Sequence, residues 1–231
     1  MSKPRNSSPV RRSRRSGPAI PLTRAHIVGT ALALVDREGT GALSMRRLGS
    51  ELGVDPMAVY YHIPNKEALL DALVEAVMAE IDLSADHPEE PLEERIMGAA
   101  RAYRDVMLAH ANALPIVLAR GPATPVALRP VELLVGLLRA AGLPPELAMA
   151  GMNAVAAAVR GVVGMIAAHP AEGPEAAHRE AMARCLPEAA FPHLREALAG
   201  PGGDFERDFE FGIRALARGL IASAGTVPLN N

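Results

Sequence analysis

Residues 44–66 read SMRRLGSELGVDPMAVYYHIPNK, and the fold turns on this stretch. Ser44 is placed as a helix N-cap, where its hydroxyl can accept from an orphan N–H of the first turn. Met45, Leu48 and Leu52 then fall at i, i+3 and i+7, one face of a helix. Gly53 follows at once, and glycine tolerates the positive φ that a tight turn demands. Asp55 caps the next helix, with Pro56 at its first position, where a missing N–H costs nothing. Pro64 closes that helix and Asn65 caps another. Two short helices joined through a glycine turn are the helix-turn-helix arrangement.

Upstream, Thr23 caps a helix whose apolar stripe is Ile27, Ala31, Leu34 and Val35, ended by Gly39 and Gly41. Residues 23–63 therefore read as three short helices. Downstream, Leu70, Leu73, Val74, Val77 and Ile81 stripe a fourth. Residues 1–21 are rich in Ser, Pro and Arg with almost nothing to bury, which predicts a disordered basic arm. Such an arm is either a solvated tail or a loose clamp on DNA phosphates or the minor groove.

From about residue 84 the chain changes character. Ser84–Pro91 is a polar loop, and Ala/Leu-rich stretches broken by Pro and Gly follow. Helices are predicted over 92–110, 112–119, 126–141, 145–168, 187–199 and 204–223. Residues 169–186 read as a loop with at most one helical turn, and 225–231 as a tail. No run of alternating β-branched residues appears, so the fold class is all-α.

Composition excludes several functions. Of the 231 residues, 49% are hydrophobic and 22% charged, which is a globular profile. Aromatic residues make up only 3% and Trp is absent, against a stacking platform for single strands. The single Cys185 excludes an internal disulfide and a multi-Cys zinc cage, and fits a reducing, cytoplasmic setting. The net charge of −2 hides an asymmetry: residues 1–66 balance to +7 and residues 67–231 to −9. A basic head on an acidic body points to a polyanion partner for the head alone. The apolar stretch 147–171 is interrupted by Arg160 and dominated by Ala and Gly, so it is read as a buried helix and not as a membrane span. There is no GxGxxG, P-loop, HExxH or GxSxG, the seven His lack metal-ligand spacing, and nothing supplies a base for Cys185. Neither an enzyme, a metal site nor a cofactor is expected.

The order of signals in 22–78, above all ALALVDREGTGALSMRRLGSELGV and VYYHIPNKEALLDAL, resembles the tetracycline-repressor (TetR) family of bacterial transcriptional regulators. The likeness continues more loosely through RAYRDVMLAHANALPIVLARGP and AAGLPPELA, which look like the C-terminal domain of the tetracycline-repressor branch. The resemblance implies a helix-turn-helix domain over 22–66 and a helical ligand-binding and dimerisation domain over 67–224. It also implies double-stranded operator DNA as partner, a small-molecule effector and a homodimer. The expected function is a repressor released from its operator by that effector. The alternative is a regulator whose body binds a partner protein.

The residues allow a closer reading. In the recognition helix Val54, Val59 and Ile63 can face the bundle, which leaves Met57, Ala58, Tyr61 and His62 outward. Pro56, Met57 and Ala58 offer few donors or acceptors and suit thymine methyls. Arg46 is the candidate for a guanine fork or a phosphate, and the resemblance lets it reach the major groove. Its neighbour Arg47 is a phosphate contact or plain surface. The resemblance puts Tyr60, His62 and Lys66 on the phosphate backbone. Tyr60 and Tyr61 cannot share a face, so the bland alternative is that one ring fills the core.

In the body, the Ala/Gly-rich 145–168 helix and a final helix with Phe205, Phe209, Gly212, Leu216 and Leu220 are, by resemblance, the four-helix dimer bundle. The pocket candidates are Tyr103, Met107 and His110 on one helix and Leu114, Val117 and Leu118 on the next. Leu134 and Leu138 join them, then Met149, Met152 and Asn153, although a Met/Leu stripe is also ordinary core. Aligned with the tetracycline repressors, the metal-bound His falls at Val117, an acidic metal associate at Met165, and a Thr-Arg pair at Arg120-Gly121. These losses imply a metal-free, more apolar effector.

Overall fold

The computed structural model describes residues 21–84, 86–168, 174–187, 189–200 and 204–225. The basic arm expected over 1–21, except residue 21, and the tail, except Gly225, lie outside the described residues. The described residues form helices and no strand.

The head is α1 (Arg24–Glu38), a 3-10 turn at Thr40–Ala42, α2 (Met45–Leu52) and α3 (Pro56–His62). Each start is capped by a side chain. Thr23 accepts from the His26 N–H, Ser44 from Arg47 and Asp55 from Met57, which satisfies donors the helix cannot. Gly53 ends α2 at φ 68°, ψ 27°, in the left-handed region. Ile63 before Pro64 is extended and stops α3. Ile27, Leu34, Leu43, Leu48, Val59 and Ile63 are buried together as one small core.

Helix α4 (Lys66–Ala79), capped by Asn65, runs from the head into the body. The body contains α5 (Leu92–Ala109), a 3-10 turn at Ala111–Ala113, α6 (Leu114–Ala119), α7 (Arg129–Ala140) and α8 (Pro145–Ala168). It continues with α9 (Pro174–Cys185), α10 (Pro192–Ala199) and α11 (Phe205–Ala224). Helices α5, α7, α8 and α11 pack as the central bundle. Arg101–Glu210, Arg104–Glu206 and Arg214–Glu93 pairs tie α5 to α11. Pairs of this kind fix register more than they stabilise.

Two expectations are corrected. Residues 174–185 are a helix and not part of a loop, because Glu, Ala, Met and Arg there favour helix once Pro174 starts it. The predicted 187–199 helix begins only at Pro192, with Phe191 outside it. Helix α8 is buried on one side only. Ala148, Gly151, Met152, Val155, Val159 and Val163 face the bundle, while Met149 and Met165 lie exposed on it. By length and composition α8 could cross a membrane. The small residues on its inner side serve close packing: a Cβ on Gly151 would meet Leu138 at 3.0 Å and Leu220 at 3.1 Å.

Candidate functional site

On the head, α2 and α3 present one exposed strip. Arg46 is exposed and forms no ion pair among the described residues, and Lys66 at the start of α4 is likewise exposed. Arg47 is held by Glu38 at 2.9 Å and Glu51 at 3.7 Å. Met57 is 71% exposed, Tyr61 89% and Tyr60 40%, so neither tyrosine fills the core. Ala58 and His62 are half-buried, and the Tyr61 and His62 rings meet edge to face at 5.5 Å. The inward anchors are Val59 and Ile63, with Val54 half-buried.

An apolar cavity of about 280 Å³ lies in the body. Of the sequence-predicted residues it gathers Tyr103, Val117, Leu118, Leu134, Met152 and Asn153. It does not gather Met107, His110, Leu114, Leu138 or Met149. Met107 and Leu138 are core, Leu114 is buried, and Met149 points outward from α8. Sequence reading missed Met78 and Leu83, contributed from α4 and the segment after it, and Pro122, Pro130 and Val131 around α7. It also missed Arg160. The signal for Arg160 was its position as a lone cation in an apolar helix, which sequence reading used only against a membrane span.

His110 lies outside the cavity. Its spacing from Tyr103 continues the stripe, but α5 ends at Ala109 and α1 covers that end of the bundle. Nδ1 of His110 lies 2.9 Å from Asp36 Oδ2 on α1, and Nε2 lies 2.9 Å from Glu80 Oε2 at the end of α4. Asn112 Nδ2 donates to the Asp36 carbonyl at 2.8 Å. A neutral imidazole has one N–H and would turn a lone pair toward one carboxylate, whereas imidazolium donates to both. Burial pushes the His110 pKa down, but the bonds to Glu80 and Asp36 outweigh it and the net shift is upward from 6.5. A raised native pKa contributes stability that is present in full below about 6.5 and is lost as pH rises through the native value. Unfolding midpoints should therefore fall as pH rises through that window. The His110→Gln variant should lose this pH dependence, so the wild-type-minus-variant difference in stability should shrink as pH rises, measured by denaturant titration from pH 5.5 to 9. A difference that does not vary with pH would exclude the charged joint.

At its other end α4 is held by Arg120, which closes α6 and pairs with both Glu67 and Asp71. The same guanidinium donates to the Glu67 carbonyl at 3.3 Å. The helix leaving the head is thus bonded to the body near each end, and Met78 on it lines the cavity.

A solvent-facing reader of short capped helices, joined by one helix to a body with an apolar cavity, defines a helical DNA-binding regulator. The family model described as "Bacterial regulatory proteins, tetR family" matches residues 27–73, and "Tetracyclin repressor-like, C-terminal domain" matches 85–223. The chain belongs to the TetR family of transcriptional regulators. It is 33% identical over 209 residues to an HTH-type transcriptional regulator of Saccharopolyspora erythraea, covering 88% of this chain and 86% of that one. It is 29% identical over 198 residues to the class A tetracycline repressor protein from transposon 1721 of Escherichia coli, covering 83% and 89%. Among solved structures, apo ActR of Streptomyces coelicolor superposes with a TM-score of 0.80 at 32% identity, covering 90% of this chain and 98% of that one. ActR in complex with actinorhodin gives 0.78 at 33% identity, covering 89% and 100%. As a family regulator the chain is not an enzyme.

Proposed function

We propose that this regulator is a cytoplasmic homodimeric repressor, released from its operator when a small, largely apolar molecule occupies the body cavity. The observation that carries the reading is the course of α4: Met78 lines the cavity while Lys66, at the helix's other end, lies on the exposed strip of the head. A ligand that reshapes the cavity acts on the element that aims the reader. Arg120 adds a second route, since α6 contributes Val117 and Leu118 to the cavity and Arg120 grips α4. The relatives support the effector's class, because ActR is known in complex with actinorhodin.

The outward sides of α8 and α11 support the dimer. Phe211 is 76% exposed and Met165 55%, among Ala and Gly positions that allow a second copy to approach closely. Two readers are then held for two half-sites about 34–36 Å apart.

In the head, Arg46 is proposed as the base reader, with Met57 and Ala58 against thymine methyls. Tyr60, Tyr61, His62 and Lys66 are assigned to the sugar-phosphate backbone and groove edge. Arg47, committed to Glu38 and Glu51, is assigned a supporting role on the phosphates.

The test is an anisotropy titration with duplex fragments from the chain's own promoter region, across salt concentrations and with cavity ligands found by thermal shift. Arg46→Ala should weaken binding by about 1–3 kcal/mol per half-site and relax base preference at one position. Lys66→Ala should weaken all sequences alike and reduce the salt slope. A ligand that stabilises the protein should weaken DNA binding about five- to 150-fold. DNA affinity unmoved by every stabilising ligand would sink the release scheme, while loss of DNA binding by wild type in dilute salt would sink the reader.

A further inference from the structure

The charge inside the cavity names the chemical class of the effector. Most arginines of the body already hold a carboxylate: Arg95 pairs with Asp86, Arg101 with Glu210, Arg104 with Glu206 and Arg214 with Glu93. Arg160 does not. Its Nη1 donates to the Tyr103 hydroxyl oxygen at 3.3 Å, a neutral acceptor, and no ion pair to it forms among the described residues. Arg160 and Tyr103 are both half-buried and both line the cavity, and no Asp or Glu lines it with them. Asn153 lies seven residues before Arg160 on the same face of α8 and brings an amide to the same space. The remaining surface is Met, Leu, Val, Ala, Gly and Pro.

A half-buried guanidinium without an acidic partner is a costly arrangement, and an anion placed against it recovers part of that cost. The fork offers parallel N–H groups that match a carboxylate's two oxygens. A single cation among the lining residues matches one negative charge better than the two of a phosphate monoester. The volume of about 280 Å³ sits at the lower edge of the range for small-molecule sites, which suits a ring pair or a medium alkyl chain. We infer that the cavity selects a monocarboxylate: a compact apolar body whose one carboxylate is held by Arg160, with the Tyr103 hydroxyl and the Asn153 amide beside it. This inference rests on the effector reading above and makes it more specific. Positively charged amphiphiles are disfavoured by the same guanidinium.

The probes are 2-naphthylacetate and its methyl ester, and decanoate and decanol, with Nile red as a neutral reporter, all titrated by calorimetry or fluorescence into the full chain. Each acid should bind about ten- to a hundredfold tighter than its neutral counterpart, the worth of a hydrogen bond to a charged group. Arg160→Gln should bring that ratio close to unity, while Arg160→Lys, which keeps the charge, should retain much of it. The circular dichroism spectrum and unfolding midpoint of Arg160→Gln should stay close to those of wild type, which separates loss of the anion site from misfolding. Equal binding of acid and neutral partner by wild type overturns the carboxylate assignment and leaves the effector cavity standing. So does an acid preference that survives Arg160→Gln. If the acids, the neutral probes and Nile red all fail to bind wild type, the effector reading falls together with the carboxylate.

Discussion

Replacing Gly49 by Val should lower operator affinity by about a hundredfold or more, with the body still folded. The reason lies in how closely α2 approaches the turn that leads to α3. A Cβ on Gly49 would sit 3.1 Å from the Pro56 nitrogen, 3.1 Å from the Val54 carbonyl oxygen and 3.2 Å from Pro56 Cα. All three are backbone atoms, so no side chain can swing aside. The Val54 N–H donates to the Gly49 carbonyl at 2.9 Å, and the same residues therefore also close the turn. Overpacking of this kind costs about 1–3 kcal/mol. It is spent by shifting α3, whose exposed side chains are proposed to meet base edges and phosphates. Two half-sites double the loss, and each 1.4 kcal/mol is a factor of ten. Gly49→Ala should show a smaller loss of the same kind. The measurement is a promoter-fragment titration beside circular dichroism and Nile red binding. Affinity for DNA within threefold of wild type would mean the turn yields cheaply.

The largest effect on stability is expected from Phe209→Ala. Phe209 is among the largest side chains that are wholly buried, and it sits where α11 meets α5. The Arg104 guanidinium lies over its ring, 4.5 Å from the centroid, while bonding Glu206 and Asp105. Truncation leaves a cavity and removes the apolar floor under a nearly buried cation. The cost should be about 3–5 kcal/mol, the range for Phe→Ala in cores. It is read as the change in unfolding free energy at fixed protomer concentration, because assembly adds to apparent stability. Phe209→Leu, which keeps much of the volume, should recover most of the loss. A loss under about 1 kcal/mol for the alanine variant would show that α11 collapses onto α5 and refills the space.

The head could be read from sequence because its signals are local. Ser44, Asp55, Pro56, Gly53 and Asn65 each act on backbone groups within four residues, so spacing along the chain carries their meaning. The cavity was only half readable for the opposite reason. Periodicity names the inward face of a helix but not what lies opposite it. Tyr103 and His110 share a stripe, yet the middle of α5 meets the cavity while the cap at its C-terminal end meets Asp36 and Glu80, residues distant in sequence. Arg160 was visible as a lone cation in α8, but its use required the facing Tyr103. The 174–185 helix was masked by the Pro and Gly that precede it in sequence.

The double tether of α4 has a mechanical consequence. His110 grips Glu80 at the body end, and Met78 stands two residues before that point. Taken as a stiff rod with a fulcrum at Glu80, the helix has a short arm of about 3 Å to Met78 and a long arm of about 21 Å to Lys66, at 1.5 Å per residue. A half-ångström push at the short arm becomes about 3–4 Å at the long one, once the Arg120 clasp lets go. In the proposed release scheme, leverage of that ratio would let a compact molecule with few contacts shift the spacing of two readers, without any large rearrangement of the body that holds it.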